Sequence, residues 1–331
     1  MLTVPSDFVS NEVVLRIVMP VHNAGAYLEE ALTSVVAGLT DRMELVVVDD
    51  GSSDGSPEIL TALLRRVERA TLIRHDLPQG VSKSLNAAIS LPGTPRFVAV
   101  AEHDDVMYGD RLACQLDFLI KNEDFGAVSS CGRYIGSTGR IRGFIRIGPR
   151  SDGELAAMKA DAEPLLVLHA CIMYRTSAVV TAGLYDPAFD GAQDLELLNR
   201  MVYDFGWSIR TLDKVHLLYR IHSGATSFAK FAEQRSITRF VRYRNRCAVT
   251  GQEATSYEQW LSLSRSSQRD RLRWWRHDVG ARNFRRAGFY WLQASYFRSG
   301  WFGLGAVLFH PEWVLVKLRR QVMERRKDGG V

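Results

Sequence analysis

Apolar residues return along the first half of this chain in two alternating rhythms. Short runs rich in branched side chains, RIVMP (16–20), MELVVVDD (43–50), ATLIRHD (70–76) and RFVAVAEHDD (96–105), stay apolar until a polar cluster ends them. Such a run suits a strand covered on both faces, because successive side chains leave a sheet on opposite sides and both must then be apolar. Between the runs, apolar residues recur every three or four positions. AYLEEALTSVVAG (26–38) places Leu28, Ala31, Leu32 and Val35 on one helical face, and SPEILTALLRRVE (56–68), GVSKSLNAAIS (80–90) and DRLACQLDFLIKN (110–122) repeat the pattern. Asp54 or Ser56 is placed to cap the second of these helices, with Pro57 in its first turn, and Asp110 opens the last. Strand and helix in strict alternation predict an α/β fold: a mostly parallel, Rossmann-like sheet flanked by helices.

Beyond residue 125 the rhythm loosens. FGAVSSCGRYIGSTGRIRGFIRIG (125–148) carries the glycine spacing of a hairpin excursion, and AQDLELLNRMVYDF (192–205) returns to helical periodicity. WSIRTLDKVHLLYRIH (207–222) reads as one or two strands running into the polar loop HSGATS. Past residue 230 the pattern turns helical and basic. The expected organisation is a domain over 1–230, in two halves at about 15–125 and 126–230, followed by a helical region over 231–331.

Charge sharpens that boundary. Residues 1–230 hold 22 Lys+Arg against 29 Asp+Glu, whereas residues 231–331 hold 20 against 8. RLRWWRHDVGARNFRRAGFYW (271–291) interleaves arginine with aromatic residues, a composition that suits an anionic membrane surface or a solvated helical face whose tryptophans pack inward. No nucleic-acid recognition motif accompanies it, and no nucleic-acid partner is expected. No apolar stretch reaches the length of a membrane span and MLTVPSDFVSNE lacks the order of a secretory signal, so the expected location is cytoplasmic, with peripheral attachment at the inner membrane open to the basic region. Cys114, Cys131, Cys171 and Cys247 are far apart in apolar segments, and we expect buried thiols in place of a disulfide framework or a zinc site.

The chemistry gathers at strand ends. PVHN (20–23) follows the first run, DDGSSDGS (49–56) the second and EHDD (102–105) the fourth. In an open parallel sheet ligands bind beyond the carboxyl ends of the strands, so three polar clusters there point to one site. Neither GxxxxGK[ST] nor GxGxxG occurs, which leaves no glycine-rich cradle for phosphate. A diphosphate handled without such a cradle needs cations, and a short acidic run can hold Mg²⁺ or Mn²⁺ for that purpose.

The series RIVMPVHNAGAYLEEALTSV, ELVVVDDGSSDGS, GVSKSLNAAI, FVAVAEHDD and AQDLELLNRM resembles family 2 of the inverting glycosyltransferases, which have the GT-A nucleotide-sugar fold, across roughly residues 15–225. The resemblance implies that Pro20, His22, Asn23, Asp49 and Asp50 line the nucleoside pocket, and that Gly80, Lys83 and Asn86 flank the donor. Leu85 stands where members often carry arginine. The family's Asp-x-Asp metal motif aligns with Glu102-His103-Asp104, followed by Asp105. It implies Asp104 as metal ligand, with Asp105 and His222 able to complete the shell, and places Glu102 and His103 on the donor side. Gln193-Asp194 aligns with the family's Glu-Asp motif at the head of a helix and implies Asp194 as the base; the same position could equally cap that helix. Glu196 would project from another side of it. YRIHSGATS (219–227) matches a Tyr-Arg-x-His segment, with Arg220 and Ser227 near His222. His169, in LLVLHACIMY, lies in an apolar strand and reads as a core histidine or a wall of the acceptor pocket.

The resemblance therefore implies transfer of a sugar, with inversion, from a nucleotide-diphosphate donor, a UDP-sugar first among them, to a glycan or lipid-linked glycan acceptor, assisted by Mn²⁺ or Mg²⁺ and serving cell-surface polysaccharide assembly. Two other readings stand beside it: a nucleotidyltransferase on a similar sheet, and a non-catalytic nucleotide-sugar-binding protein.

Overall fold

The computed structural model describes residues 13–136, 139–222, 230–292, 296–312 and 314–315. The chain forms two compact units, one built from the chain up to His222 together with Ile237–Ala254, the other from Ser223–Ser236 together with Thr255 onward.

The first unit is α/β. Its opening elements are β1 (Leu15–Val21), α1 (Leu28–Val36), β2 (Met43–Asp50), α2 (Ser56–Leu64), β3 (Ala70–His75), α3 (Val81–Ile89) and β4 (Phe97–Val100). β5 (Val106–Met107), α4 (Arg111–Lys121), β6 (Phe125–Gly136), β7 (Ile141–Ile145), α5 (Asp152–Ala160), β8 (Met173–Arg175), α6 (Thr176–Thr181), α7 (Gln193–Tyr203) and β9 (Ser208–Ile221) follow. The sheet order is β3-β2-β1-β4-β8-β6-β9-β5, with β7 paired to β6. β1 to β4 are mutually parallel, and Val21 stands opposite Asp49 while Val18 stands opposite Val100, so the carboxyl ends of β1, β2 and β4 open at one edge. The fold agrees with the α/β expectation, and β6–β7 is the anticipated hairpin.

Alternation along the strands builds two cores. Ile17, Met19, Leu45 and Val47 face α1, α2 and α4, while Val18, Val46, Val48 and Val100 face α3, α6 and α7. The second half departs from a simple repeat because β8 enters antiparallel between β4 and β6. LLVLHACIMY contains this strand only from Met173; His169–Cys171 form a short 3-10 turn before it, which corrects the reading of His169 as a strand residue. Cys131, Cys171 and Cys247 are buried free thiols, but Cys114 is partly exposed. Its Sγ is 3.0 Å from Asp110 Oδ2 and 3.1 Å from Lys214 Nζ, and Asp110 also meets His216 Nε2 at 3.2 Å. Asp110, Cys114 and His216 thus gather three ligand types, with the Lys214 ammonium already supplying positive charge.

The described helices of the second unit include α9 (Tyr257–Ser264), α10 (Gln268–Leu292) and α11 (Tyr296–Phe309); α8 (Phe231–Thr250) runs through both units. α10 and α11 pair closely. A Cβ on Gly280 would lie 2.7 Å from His310 Cβ, and Tyr290 and Phe302 stack with ring centroids 5.4 Å apart.

Candidate functional site

The loops after β1 and β2 are stitched together before any ligand arrives. Asn23 adopts a positive φ of 48°, which suits asparagine better than most side chains. Its backbone N–H donates to Ser52 Oγ at 3.0 Å, and its Oδ1 accepts from Ser53 N–H at 2.8 Å. His22 Nδ1 donates to the Asp50 carbonyl at 2.8 Å. Asp49 Oδ1 accepts the Ser52 N–H at 3.0 Å and so forms the turn itself.

Asp50 reaches the other way. Its Oδ1 accepts from His75 Nδ1 at 2.7 Å and Gln79 N–H at 2.8 Å, and its Oδ2 from Gly80 N–H at 2.8 Å. Burial disfavours its charge, yet these donors outweigh burial and hold its pKa below the ordinary carboxylate value. Gly80, at φ 99°, then bends the chain into α3, and a Cβ there would strike the Asp190 carboxylate. Lys83 lies exposed on the first turn of α3, whereas Asn86 exchanges two hydrogen bonds with the Tyr185 backbone, at 2.7 and 3.0 Å.

The loop after β4 has opposite electrostatics. One oxygen from each of Glu102, Asp104 and Asp105 lies within 4.8 Å of the others. His103 Nδ1 donates to the Pro20 carbonyl at 3.2 Å, joining this loop to the end of β1. Asp104 Oδ2 meets His222 Nε2 at 3.0 Å. Burial opposes the Asp104 charge, but that bond and the neighbouring His103 and His222 lower its pKa. Asp105 Oδ1 accepts the Arg220 N–H at 2.7 Å, while its buried Oδ2 has no hydrogen bond from any described residue. Burial and the charges of Asp104 and Glu102 push its pKa well up. Two hard carboxylates, Asp104 and Asp105, one with an unsatisfied oxygen, beside the His222 imidazole and the added charge of Glu102 fit a divalent cation.

The head of α7 carries the remaining candidate. Ala192 holds its N-cap position, so Asp194 is not the cap; it sits in the first turn and accepts no hydrogen bond from any described residue. Its charge acts on His169, Tyr174 and Tyr185, which places it on the same face as Glu102's partners. Glu196 is committed elsewhere, to Arg200 at 2.7 Å and Arg244 at 2.5 Å.

The sequence model of glycosyl transferase family 2 matches residues 16–181, which span β1 through α6 and so contain both Asp-Asp loops. This chain belongs to that family. Among curated relatives, an Escherichia coli protein named UDP-Glc:alpha-D-GlcNAc-diphosphoundecaprenol beta-1,3-glucosyltransferase WfgD is 27% identical over 112 residues, covering 34% of this chain and 43% of that one. The chain spans between 21% and 57% of the length of the curated relatives it matches. Among solved structures, Staphylococcus aureus TarS 1–349 in complex with UDP-GlcNAc aligns with a TM-score of 0.54 and 16% identity over 86% of this chain and 89% of that one. The mannosyltransferase PcManGT from Pyrobaculum calidifontis, in complex with GDP-Man and Mn²⁺, aligns with a TM-score of 0.54 and 15% identity over 90% and 88%. At such identities the likeness shows the fold.

In this member of the family the sheet edge thus brings together Pro20, His22, Asn23, Asp49, Asp50, Gly80, Glu102, His103, Asp104, Asp105 and His222, while Asp194 acts through its charge on His169, the partner of Glu102. The loop 223–229, Ser227 included, lies outside the described residues. Asp190 escaped the sequence reading, and Arg220 and His169, which it named, make contacts that it did not assign. Asp190 Oδ1 accepts the Ser82 N–H at 3.0 Å, tying the approach to α7 to the start of α3. Arg220 is buried, and donates through Nε to the Asp104 carbonyl at 2.8 Å and through Nη2 to Glu30 at 2.5 Å. His169 bonds Glu102 at 2.9 Å and Tyr185 at 3.0 Å. Only the placement of Asp190 four residues before Asp194 offered a signal in the sequence.

Proposed function

We propose that this chain transfers a sugar from a nucleotide-diphosphate donor to an acceptor hydroxyl by a single inverting displacement. The observation that carries the reading is the acidic cluster of Glu102, Asp104 and Asp105 linked to Asp194 through His169, which bonds Glu102 at 2.9 Å and feels the Asp194 charge. The β1 and β2 loops bind the nucleoside, and Asp104, Asp105 and His222 hold a divalent cation, Mn²⁺ or Mg²⁺. When bound, that cation offsets the charge that grows on the leaving diphosphate. Asp194 receives the acceptor proton as the new bond forms. The comparisons support a nucleotide-sugar donor, since TarS was solved with UDP-GlcNAc and PcManGT with GDP-Man, and the name of WfgD, which gives UDP-Glc, favours a UDP-sugar here.

Incubation with UDP-sugars and lipid-linked or soluble glycan acceptors tests the reading. Nucleoside diphosphate release with an inverted product is expected, and Asp194→Asn should lower turnover about 100-fold with donor affinity unchanged. Full turnover in that variant would remove the assigned base. Pyrophosphate as product would mark a nucleotidyltransferase, and donor binding without turnover under any divalent cation a binding protein.

The acceptor we propose is a lipid-linked glycan met at a cytoplasmic membrane face during cell-surface polysaccharide assembly. No helix among the described residues is long and apolar enough to cross a membrane. On α11, however, Phe297, Trp301, Leu304 and Leu308 recur at intervals of four, three and four and are 86%, 69%, 72% and 75% exposed. That apolar row, in a region of 20 Lys+Arg against 8 Asp+Glu, suits an anionic bilayer surface. Salt-sensitive sedimentation with phosphatidylglycerol vesicles is expected, weakened by Trp301→Ser with Leu304→Ser; sedimentation unaffected by both changes would count against it.

A further inference from the structure

Glu102 stands where the family motif has aspartate, and the longer side chain has a partner. His169 Nδ1 meets Glu102 Oε1 at 2.9 Å, and the other ring nitrogen meets the Tyr185 hydroxyl at 3.0 Å. Tyr185 in turn bonds the Tyr174 hydroxyl at 3.2 Å, and both tyrosines are fully buried. An aspartate at position 102 would carry its carboxylate one carbon–carbon bond short of that imidazole.

Neither end of this chain of contacts is free to drift. The 3-10 turn bearing His169 is fastened to the end of β4 by the buried Arg111 guanidinium, which donates to the Val100, Ala170 and Ile172 carbonyls at 2.7, 2.9 and 3.1 Å. The Tyr185 backbone is fastened to α3 through Asn86. His169 is itself only 9% exposed, while the Glu102 side chain is 34% exposed, so one carboxylate oxygen is held and the group still opens to solvent. Glu102 thereby differs from Asp104, whose oxygen faces His222, and from Asp105, which faces Arg220.

We propose that His169 is a positioning residue which clamps Glu102 so that its second oxygen accepts a hydrogen bond from a hydroxyl of the donor sugar, making the pair a selector of the sugar and not of the nucleotide. The inference rests on the glycosyltransferase reading above. A clamped carboxylate offers an acceptor in one orientation, and a site built to bond a hydroxyl discriminates strongly against a ring that lacks it or presents it on the other face. Asp194 acts on the same imidazole through its charge.

The test measures binding of UDP, UDP-glucose, UDP-galactose and UDP-GlcNAc by calorimetry with Mn²⁺, using the full chain. For the sugar that the wild type prefers, His169→Phe should weaken affinity about ten-fold, the worth of one charge-assisted hydrogen bond, and flatten the preference among sugars, while UDP affinity stays within about two-fold. His169→Asn, whose amide nitrogen takes the place of Nδ1, should keep most of the preference. In a Glu102→Asp background, where the carboxylate no longer reaches, His169→Phe should add no further loss. The clamp is overturned if His169→Phe weakens UDP and UDP-sugars equally, if His169→Asn is as poor as His169→Phe with UDP affinity retained, or if its effect is the same with Asp at 102. A wild type that binds UDP-sugars no better than UDP overturns the clamp as well, while release of nucleoside diphosphate in the transfer assay would leave the broader reading intact.

Discussion

Two Asp-Asp pairs mark the carboxyl edge of the sheet on either side of β1, and they are opposites. Asp49-Asp50, at the end of β2, is complete within the protein: Ser52, Gln79 and Gly80 N–H groups and the His75 ring satisfy its inner oxygens, and the pKa of Asp50 falls. Asp104-Asp105, after β4, receives a single backbone N–H on Asp105, leaves Asp105 Oδ2 buried without a hydrogen bond from any described residue, and adds the charge of Glu102. Side-chain chemistry is identical in the two dipeptides; what differs is how many N–H donors the following chain sends back. After β2 the loop into α3 returns two to Asp50. After β4 the chain crosses at once to pair β5 with β9, and one arrives from Arg220. The first pair is a finished platform, and the second gains most from a cation brought to it.

The sharpest way to break this contrast is to neutralise the second pair during turnover. Asp104→Asn should lower transfer by about 100-fold or more in kcat/KM, the scale on which a preorganised electrostatic group acts, whereas a mere loop charge would cost little. Cation binding comes next. Mn²⁺ at about a hundred times its dissociation constant should raise unfolding free energy by about 2.7 kcal/mol in the wild type, and Asp105→Asn should lose most of that gain. A melting curve that does not move with Mn²⁺ would mean that the acidic loop holds no cation. Asp50→Asn presents its amide to donors that need an acceptor and should cost about 1–3 kcal/mol in urea unfolding without divalent ions. Asp105→Asn resembles the protonated acid that burial already favours, keeps an acceptor for Arg220, and should stay within about 0.5 kcal/mol of the wild type. Equal costs at the two positions would erase the distinction.

How much of this was legible beforehand follows the range of the interactions. β1 to β4 and their helices were readable because a buried parallel strand and an amphipathic helix each leave a local period. The strand-end clusters were readable because the fold fixes where ligands meet such a sheet. His169 was not. Its partners Glu102 and Tyr185 lie 67 and 16 residues away, and β8, whose insertion brings the turn beside β4, has only three residues. Arg220 was noted only as a neighbour of His222, since nothing local shows that its guanidinium turns back toward Asp104 and Glu30. The exposed row on α11 had its residues in plain view, but apolar spacing alone does not say whether a face is covered.

The smallest expected effect is also the one whose sign is most diagnostic. Asp50 has a folded-state pKa below its ordinary 3.8, so the folded state holds that proton less tightly than the unfolded chain. The stability it contributes is therefore fully present above about pH 4 and is lost as pH falls through the lowered value. Asp50→Asn has no such proton to gain. The gap in unfolding free energy between the two proteins should narrow as pH falls below about 4, to be read from urea curves at each pH. A gap that widens on acidification would place the Asp50 pKa above the ordinary value, and would mean that its N–H donors fail to outweigh its burial, as they fail for Asp105.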